Sequence, residues 1–404
     1  MKILLLGDYS NVHATLAEGL RALGHTVVVA SDGDGWKDYP RDIDLRRCLG
    51  GPVGSLLYLT KLLFLLPRLR GFDVVQLINP IFLDVKSRWN RWMISYLKRK
   101  NQLLSLGCFG DDYFVVSRMR DPGFMEYTDF HYHGKVIDHP LNRERISRWC
   151  NEERLAITHY AVSSSTVLLA GLYEYYKVYD IEPFRRKLHY MPFPIEPLLC
   201  DNSQGELRGQ FVNHQRVRVL LATQKKRAQM KGTDLIEPLL RRLAKEHPAE
   251  IEVRSIESVP FVQYQKEVEA ADVVVDQLYS YTPGMGALEA MRRGKVVITG
   301  YEPEFAQFLS QYDTECAEET NCDSGYASEI IPGIINLRPF EDEENYRILE
   351  EMLLDRQKIA QLSADSQAYV ERYHNAEKIA EICVRIWQRV QSCSASSSKC
   401  PSQR

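Results

Sequence analysis

The sequence lacks a strong excess of charge of either sign. Lys and Arg total 51 and Asp and Glu total 54, so the formal net charge at pH 7 is -3. Proteins that bind nucleic acid through the phosphate backbone present a basic surface, because binding is driven by the release of condensed counterions. We therefore expect no nucleic-acid partner.

Cysteine pairs and a dinucleotide fingerprint are also missing. The nine cysteines are scattered, odd in number and without a C-x-x-C pair, which is typical of a reducing cytosol and predicts neither a zinc site nor a disulfide framework. A dinucleotide site needs G-x-G-x-x-G after the first strand, and only Gly7 is present there. Hydride chemistry is therefore disfavoured, and we expect no metal and no cofactor.

No segment predicts a signal peptide or a membrane-spanning helix. Met1 and Lys2 lead directly into an apolar strand. The most apolar stretch, Leu56–Leu66, is too short to span a bilayer, contains Lys61 and is followed by Pro67. It predicts a helix that covers a sheet; the alternative is that Leu63–Arg70 lies against a membrane. The expected localisation is the cytoplasm, with the inner face of the membrane as a peripheral site.

The first part of the chain predicts a parallel sheet. A strand at Lys2–Leu6, a helix at Val12–Leu23 and a strand at His25–Ala30 form a βαβ unit. Ligands of such sheets bind at the carboxyl ends of the strands. The residues expected at this edge, on the acceptor side of the site, are Gly7, Asp8, Tyr9, Ser10 and Asn11.

Paired aspartates, Asp111 and Asp112, follow the predicted strand Gln102–Leu106. Two interpretations stay open: they supply a general base or an anchor for a hydroxyl group, or they form a solvated turn. Residues 113–155 read as an insertion that shapes the acceptor side. Its histidines could bind a metal, but no carboxylate partner stands at strand spacing.

The length of 404 residues suits two domains, each with its own core. Pro192 and Pro194 interrupt the periodic pattern and mark a boundary. We predict an N-terminal domain at 1–197, a C-terminal domain at 216–372, a helix at 373–391 that crosses back to the first domain, and a disordered tail at 392–404.

A glycine-rich crossover organises the second domain. Buried strands at Val273–Val275 and Val296–Ile298 flank Gly284, Met285 and Gly286, which lead into a helix. Glycines let backbone N–H groups approach a ligand, and the helix start adds the positive end of a dipole, so a phosphate is the expected occupant. Glu289, one turn into the helix, can accept hydrogen bonds from sugar hydroxyls. The alternative is that the glycines serve only packing.

A basic loop precedes the helix that begins near Asp234. The cations that follow the strand Val217–Ala222 are Lys225, Lys226, Arg227 and Lys231. Four cations at one strand end repel each other, so an anion is expected to offset their charge. The alternative is a solvated basic loop.

Four segments together resemble one family, the retaining nucleotide-sugar glycosyltransferases of the GT-B fold, of the E-x7-E (group 1, family 4-like) type found in bacterial cell-surface glycan synthesis. Leu20–Val27 resembles the family's L-x-x-x-GH-x-V unit, and Lys187–Ile195 its IPNGID strand. Lys231–Asp234 resembles the KGxD loop, and Gly284–Ile298 the GxxxxEAMxxGxPVI segment. Their order and spacing match the family over most of the chain.

The resemblance implies an α/β fold of two Rossmann-like, doubly wound parallel-sheet domains that face each other across a cleft. It implies a nucleotide-diphosphate sugar donor on the C-terminal domain, and a glycan or lipid-linked acceptor on the first. Sugar transfer to the acceptor hydroxyl would proceed with retention, in polysaccharide or glycolipid synthesis. Cations and helix-terminal N–H groups would stabilise the leaving diphosphate without a metal.

The family's motifs also assign roles by position. The pyrophosphate lysine corresponds to Lys231, its arginine to Lys226, and the ribose-binding glutamate to Glu289. The first glutamate of the E-x7-E motif corresponds to Tyr281, which cannot act as a carboxylate. The catalytic candidates are therefore Tyr281, Asp111, Asp112 and Lys231. A binding protein that has lost catalysis, and a GT-B epimerase or phosphorylase, stay open as alternatives.

Overall fold

The computed structural model describes residues 1–197, 215–225, 227–320 and 331–397, without the side chains of residues 36, 313–320 and 394–397. The strands are β1 (Lys2–Leu6), β2 (Thr26–Ser31), β3 (Ile43–Asp44), β4 (Val74–Leu77), β5 (Leu103–Cys108), β6 (Tyr127–Thr128), β7 (His131–Tyr132), β8 (Lys135–Val136), β9 (Val167–Ala170), β10 (Leu188–Tyr190), β11 (Val217–Thr223), β12 (Ile251–Glu257), β13 (Val273–Val275), β14 (Val296–Thr299) and β15 (Ile334–Asn336). The helices are α1 (Val12–Ala22), α2 (Gly51–Leu65), α3 (Ser87–Lys100), α4 (Tyr113–Met119), α5 (Pro140–Trp149), α6 (Glu152–Ser164), α7 (Tyr173–Tyr179), α8 (Ala228–Lys231), α9 (Thr233–Glu246), α10 (Phe261–Ala270), α11 (Met285–Arg292), α12 (Pro303–Thr320), α13 (Asp342–Leu354), α14 (Arg356–Tyr373) and α15 (Ala376–Ser397).

The chain forms two compact units. The first contains residues 1–118, 145–196 and the described residues from His374 on; the second contains residues 119–144 and the described residues from Pro197 to Tyr373. Residues 119–144, which the sequence analysis placed in the N-terminal domain, thus group with the second unit.

The first unit is built on a seven-stranded parallel sheet in the order β10-β9-β5-β4-β1-β2-β3. Leu4 of β1 pairs with Val28 on one side and Val75 on the other, and all three strands are short apolar runs. Strands of this kind are covered on both faces, as the sequence predicts. The strand order reverses at β1, and ligands of doubly wound sheets bind beside such a reversal.

The last helix, α15, packs against α1 of the first unit. The packing is close: a Cβ built on Gly19 of α1 would lie 2.2 Å from the carbonyl oxygen of Ala376. Before the helix, His374 Nδ1 lies 2.8 Å from the carbonyl oxygen of Phe193. The helix extends to Ser397, so residues 392–397 are helical rather than disordered, and residues 398–404 lie outside the described part of the chain.

The second unit is built on a five-stranded parallel sheet in the order β12-β11-β13-β14-β15. Its core combines strand residues such as Val219 and Ile298 with Leu240 of α9 and Leu349 of α13. The short antiparallel strands β6, β7 and β8 lie in the same unit. The prediction of two α/β domains with parallel sheets is confirmed.

Helix α2 differs from its prediction. It begins at Gly51 and continues beyond Leu65 as a 3-10 helix over Leu66–Leu69. Within the described residues, one segment, Gly51–Leu69, is long and apolar enough to cross a membrane. Only 22% of its most apolar 18-residue stretch is buried in the protein. Its buried residues, Gly54, Tyr58 and Leu62, form a narrow stripe.

Candidate functional site

An ion pair lies at the carboxyl edge of the second sheet. Lys231 ends α8 and is followed by Gly232, whose φ of 71° closes that helix with the left-handed conformation that suits glycine. Asp276 comes directly after β13. The Lys231 Nζ donates to Asp276 Oδ1 over 2.7 Å, and the two side chains are 30% and 7% exposed.

The glycines of the crossover surround this carboxylate. A Cβ built on Gly284 would lie 3.4 Å from Asp276 Oδ2, and one built on Gly286 would lie 3.3 Å from Asp276 Oδ1. Gly284 is the N-cap of α11, and because glycine has no side chain, it offers no acceptor to the N–H groups of the first helical turn. Met285, at the first helical position, is half-buried. The structure therefore brings Lys231, Gly284 and Gly286 together around a negative charge at a helix N-terminus.

Glu289 projects from the same helix but pairs with arginines. Its Oε2 accepts from Arg292 at 3.2 Å and from Arg293 at 2.5 Å. Burial and the negative charges of Asp276 and Glu289 together raise the pKa of Tyr264, on α10, to about 12, while the charge of Arg293 lowers it. Glu289 thus lies on the helix whose N-cap, Gly284, is next to Asp276.

Two further residues of the basic loop, Lys225 and Arg227, are exposed. Lys225 donates its backbone N–H to Ser258 Oγ over 2.8 Å, which holds the loop beside the end of β12. The side chain of Arg227 donates to Gln224 Oε1 over 2.9 Å. Lys226 lies outside the described residues, so the structure gives no position for it.

Tyr281 is a packing residue in this structure. Its side chain is buried, and its ring lies 4.9 Å from the ring of Tyr127. Its hydroxyl oxygen accepts the backbone N–H groups of Glu126 at 3.1 Å and Tyr127 at 3.4 Å. Tyr281 therefore holds the segment 119–144 onto the second sheet.

A buried carboxylate that sequence reasoning missed lies beside Tyr281. Glu302, after β14, is 1% exposed, accepts a hydrogen bond from the Tyr127 hydroxyl at 2.8 Å and pairs with Arg338. Burial raises the pKa of Glu302, and the hydrogen bond from Tyr127 and the charge of Arg338 lower it. Asp276 was missed too, although its place directly after a buried strand was a usable signal.

In the first unit, Asp8 caps α1 at the carboxyl end of β1. Its two carboxylate oxygens accept the N–H groups of His13 at 3.0 Å and Ala14 at 3.2 Å. Burial raises the pKa of Asp8 to about 7. Gly7 precedes it with φ of 81°, and a Cβ there would lie 2.3 Å from Ile78. Glycine is required at this turn by conformation and by space.

The next residues at this edge, Tyr9, Ser10 and Asn11, each donate a hydrogen bond to another segment of the first unit. Ser10 and Asn11 have φ of 50° and 68°. Ser10 donates its N–H to Asp34 over 2.9 Å, and Asn11 donates its side-chain amide to Glu196 over 3.2 Å. Tyr9 donates its hydroxyl to the carbonyl oxygen of Ile81 over 3.3 Å.

The aspartates after β5 have different surroundings. Asp111 forms a bidentate ion pair with Arg145, with both distances 2.8 Å. Asp112 is buried, accepts the N–H of Val115 at 2.9 Å and a hydrogen bond from Tyr179. Burial raises the pKa of Asp112 to about 6. Asp112 therefore caps the N-terminus of α4. Asp111 is the half-exposed member of the pair.

One group of potential metal ligands stands out among the described residues. Oxygen and nitrogen atoms of Glu246, His247 and Glu350 lie within 4.8 Å of each other. The His247 Nε2 already lies 2.9 Å from Glu350 Oε1, so the group reads as an ion pair between α9 and α13. It lies outside the residues that the sequence analysis proposed as a site.

Comparisons with known sequences find no relative: no protein-family profile and no curated protein matches this chain. Solved structures do match. Sucrose-phosphate synthase from Thermosynechococcus elongatus aligns over 97% of this chain and 100% of its own, at 13% identity and a TM-score of 0.56. WaaG, a glycosyltransferase involved in lipopolysaccharide biosynthesis, aligns over 95% and 99%, at 15% identity and 0.50.

An epimerase shares the architecture. UDP-GlcNAc 2-epimerase from Neisseria meningitidis, bound to UDP-GlcNAc, aligns over 96% of this chain and 100% of its own, at 12% identity and a TM-score of 0.50. Further matching structures were determined in complex with UDP. Together with the two parallel sheets, these full-length alignments define the class: the chain has the GT-B fold.

Proposed function

We propose that this protein is a glycosyltransferase that transfers a sugar from a nucleotide-diphosphate donor to an acceptor hydroxyl, with retention. The observation that carries the proposal is the Lys231–Asp276 pair at the N-terminus of α11, where the structure already holds one negative charge. A diphosphate oxygen would replace the Asp276 carboxylate on Lys231. The helix N-terminus would then face the second phosphate.

The proposed chemistry needs no dedicated base and no metal. The bond between the sugar C1 and the diphosphate oxygen breaks, and a bond from C1 to the acceptor oxygen forms on the same face. The acceptor proton passes to the leaving diphosphate. Lys231 and the first-turn N–H groups of α11 stabilise the charge that develops on that diphosphate. Asp111, half-exposed at the edge of the first sheet, is the candidate that orients the acceptor hydroxyl.

Glu289 is the proposed ribose ligand. It lies one turn into α11, and among the described residues its carboxylate binds Arg292 and Arg293 through a single oxygen, Oε2, which leaves Oε1 for a ligand. Lys225, Lys226 and Arg227 would add positive charge near the phosphates. We propose a cytoplasmic enzyme of polysaccharide or glycolipid synthesis, because the resemblance of the four motifs points to that group of transferases.

The test begins with the donor. Thermal-shift measurements with UDP-, GDP-, ADP- and TDP-sugars should identify one that raises the melting temperature, because a ligand that binds only the folded state stabilises it. With that donor, Lys231→Met should raise the KM or lower kcat by about a hundredfold, of the order of a lost charge-assisted contact. Lys245→Met, an exposed lysine on α9, is the matched control. Equal kinetics for both variants would contradict the site.

The shared fold of the Neisseria epimerase motivates a second candidate, epimerisation of a nucleotide sugar. The two activities differ in their products. A transferase releases free nucleoside diphosphate only when an acceptor is present, whereas an epimerase converts the donor without an acceptor. Binding of a donor with neither product would support a protein that has lost catalysis, the interpretation that Tyr281 motivates.

A further inference from the structure

The apolar helix of the first unit turns much of its apolar surface to solvent. The 3.6-residue period puts the outward positions of α2 on one side. The apolar face consists of six residues that are each at least 54% exposed: Leu49, Val53, Leu56, Leu57, Leu63 and Phe64. Apolar residues in one continuous stripe, unlike scattered ones, mark an interaction surface.

The orientation of this face is fixed by packing. The inward stripe of α2 consists of Gly54, Tyr58 and Leu62, all buried. The Tyr58 hydroxyl donates to the carbonyl oxygen of Leu45 over 2.8 Å. Because the inward stripe is packed against the first unit in this way, the apolar face can be covered from outside only.

Aromatic side chains of α3 continue the face. The Tyr96 hydroxyl donates to the carbonyl oxygen of Leu66 over 2.8 Å, which places α3 directly beside the end of the apolar segment. Trp92 stacks on Tyr96 with ring centroids 6.0 Å apart and is 37% exposed. Tryptophan and tyrosine are enriched at the boundary between water and lipid.

A basic cluster borders the same end. It consists of Arg68, Arg70, Lys98, Arg99 and Lys100, all exposed. The two segments are joined, since Asn101 donates its side-chain amide to the carbonyl oxygen of Leu69 over 3.1 Å. None of the five cations forms an ion pair with a residue that the structure describes.

The local charge contrasts with that of the whole chain. Residues 45–110 contain Lys and Arg at eleven positions and acidic residues only at Asp73 and Asp84, although the formal net charge of the protein is -3. An apolar stripe flanked by cations is complementary to a bilayer with anionic headgroups. Two copies of this chain would bring like charges together if they paired through the same surface, so a homodimer fits less well.

We propose that the apolar face and the basic cluster dock the first unit onto a bilayer that contains anionic phospholipids. Helix α2 lies along the interface with Leu56 and Phe64 inserted, while the basic cluster contacts headgroup phosphates. The inward stripe stays packed against the first unit, so the helix lies on the membrane and does not span it.

The position of the face connects docking to the proposed function. Its first residues, Leu49 and Val53, lie at the carboxyl edge of the first sheet, because neighbouring Arg47 pairs with Asp84, after β4, at 3.6 Å. A lipid-linked acceptor at the bilayer surface would reach this edge. That consequence depends on the proposed function, whereas docking itself does not.

The experiment is co-sedimentation of the full chain with vesicles, without any nucleotide. We expect binding to phosphatidylcholine vesicles that contain phosphatidylglycerol, and much weaker binding to phosphatidylcholine alone or at high salt. Leu56→Gln with Phe64→Gln should weaken binding at least about tenfold, because each side chain loses its apolar transfer energy. Arg68→Gln with Arg70→Gln should weaken it about tenfold as well.

A matched control exists in the second unit. Val262, on α10, is 65% exposed and apolar, so Val262→Gln should bind vesicles as the wild type does. Leu56 and Phe64 are 67% and 80% exposed, so their variant should keep the wild-type melting temperature. Equal binding by all variants would overturn the proposal. So would a wild-type dimer that the Leu56 and Phe64 changes convert to a monomer, without any vesicle binding. A protein that binds vesicles yet transfers no sugar would contradict only the proposed function.

Discussion

Replacing Tyr281 with phenylalanine separates a supporting role from a catalytic one. The sequence aligns this residue with a glutamate of the E-x7-E motif, which made it a catalytic candidate. In the structure its hydroxyl oxygen instead accepts the backbone N–H groups of Glu126 and Tyr127. Phenylalanine keeps the ring contact with Tyr127 and removes these two hydrogen bonds.

The size of the effect follows from those bonds. A buried N–H that loses its acceptor costs about 1–3 kcal/mol. The 3.1 Å bond to Glu126 is only partly buried, so water can replace the lost acceptor, and the 3.4 Å bond to Tyr127 is long. We therefore expect a loss of about 1–2 kcal/mol and, for a domain of this size, a fall in melting temperature of about 2–8 °C.

Activity should change much less than it would on loss of a catalytic group. If Tyr281 only positions the segment 119–144, Tyr281→Phe should lower kcat less than about tenfold, which corresponds to about 1.4 kcal/mol. Scanning calorimetry and a product assay on the same preparation give both numbers. A fall in kcat of more than a hundredfold at an unchanged melting temperature would refute this reasoning and restore Tyr281 as a catalytic residue.

Two further predictions concern stability. Burial raises the pKa of Asp8 to about 7, so the folded protein keeps a proton that the unfolded chain releases near pH 4. Relative to Asp8→Asn, the free energy of unfolding of the wild type should fall by on the order of 3 kcal/mol as the pH rises from about 4 to 7. Urea unfolding measures this difference, and parallel pH curves for the two proteins would contradict it. Arg338→Met should leave Glu302 with Tyr127 alone and cost about 1–3 kcal/mol, less than a fully buried pair because Arg338 is 37% exposed. This loss should shrink at acidic pH, where Glu302 is protonated, and Arg338→Lys should restore part of it; an unchanged urea midpoint would count against the pair.

The sequence was sufficient for features that depend on neighbouring residues. The runs Val273–Val275 and Val296–Ile298 are short, β-branched and bounded by turns, and the structure has β13 and β14 there. Gly284 precedes a run of good helix formers, and α11 begins at the next residue. Both elements follow from local propensity and hydrophobic pattern, which tertiary packing reinforces in this fold.

Contacts between segments that are far apart in the sequence were not predictable in this way. Tyr281 and Glu126 are 155 positions apart, and their contact exists because residues 119–144 pack on the second sheet. No periodicity within that segment indicates which sheet it joins. The outward face of α2 entered the sequence analysis only as the alternative that Leu63–Arg70 lies against a membrane. Both sides of the helix are apolar, so the pattern does not distinguish the covered side from the open one.

Under the proposed function, the Lys231–Asp276 pair would set a condition on the binding of every diphosphate. Asp276 is 7% exposed, so a phosphate that takes Lys231 away from it leaves a nearly buried carboxylate without its cation. Such a charge is costly unless it finds another donor. Breaking the existing pair would therefore reduce the binding free energy of the donor. A ligand would have to offset this loss by contacts at a second position. A diphosphate can do so, because one phosphate can bind Lys231 while the other faces the N-terminus of α11. A single carboxylate or sulfate cannot reach both positions, so in the proposed site the pair that weakens binding would also select for the longer anion.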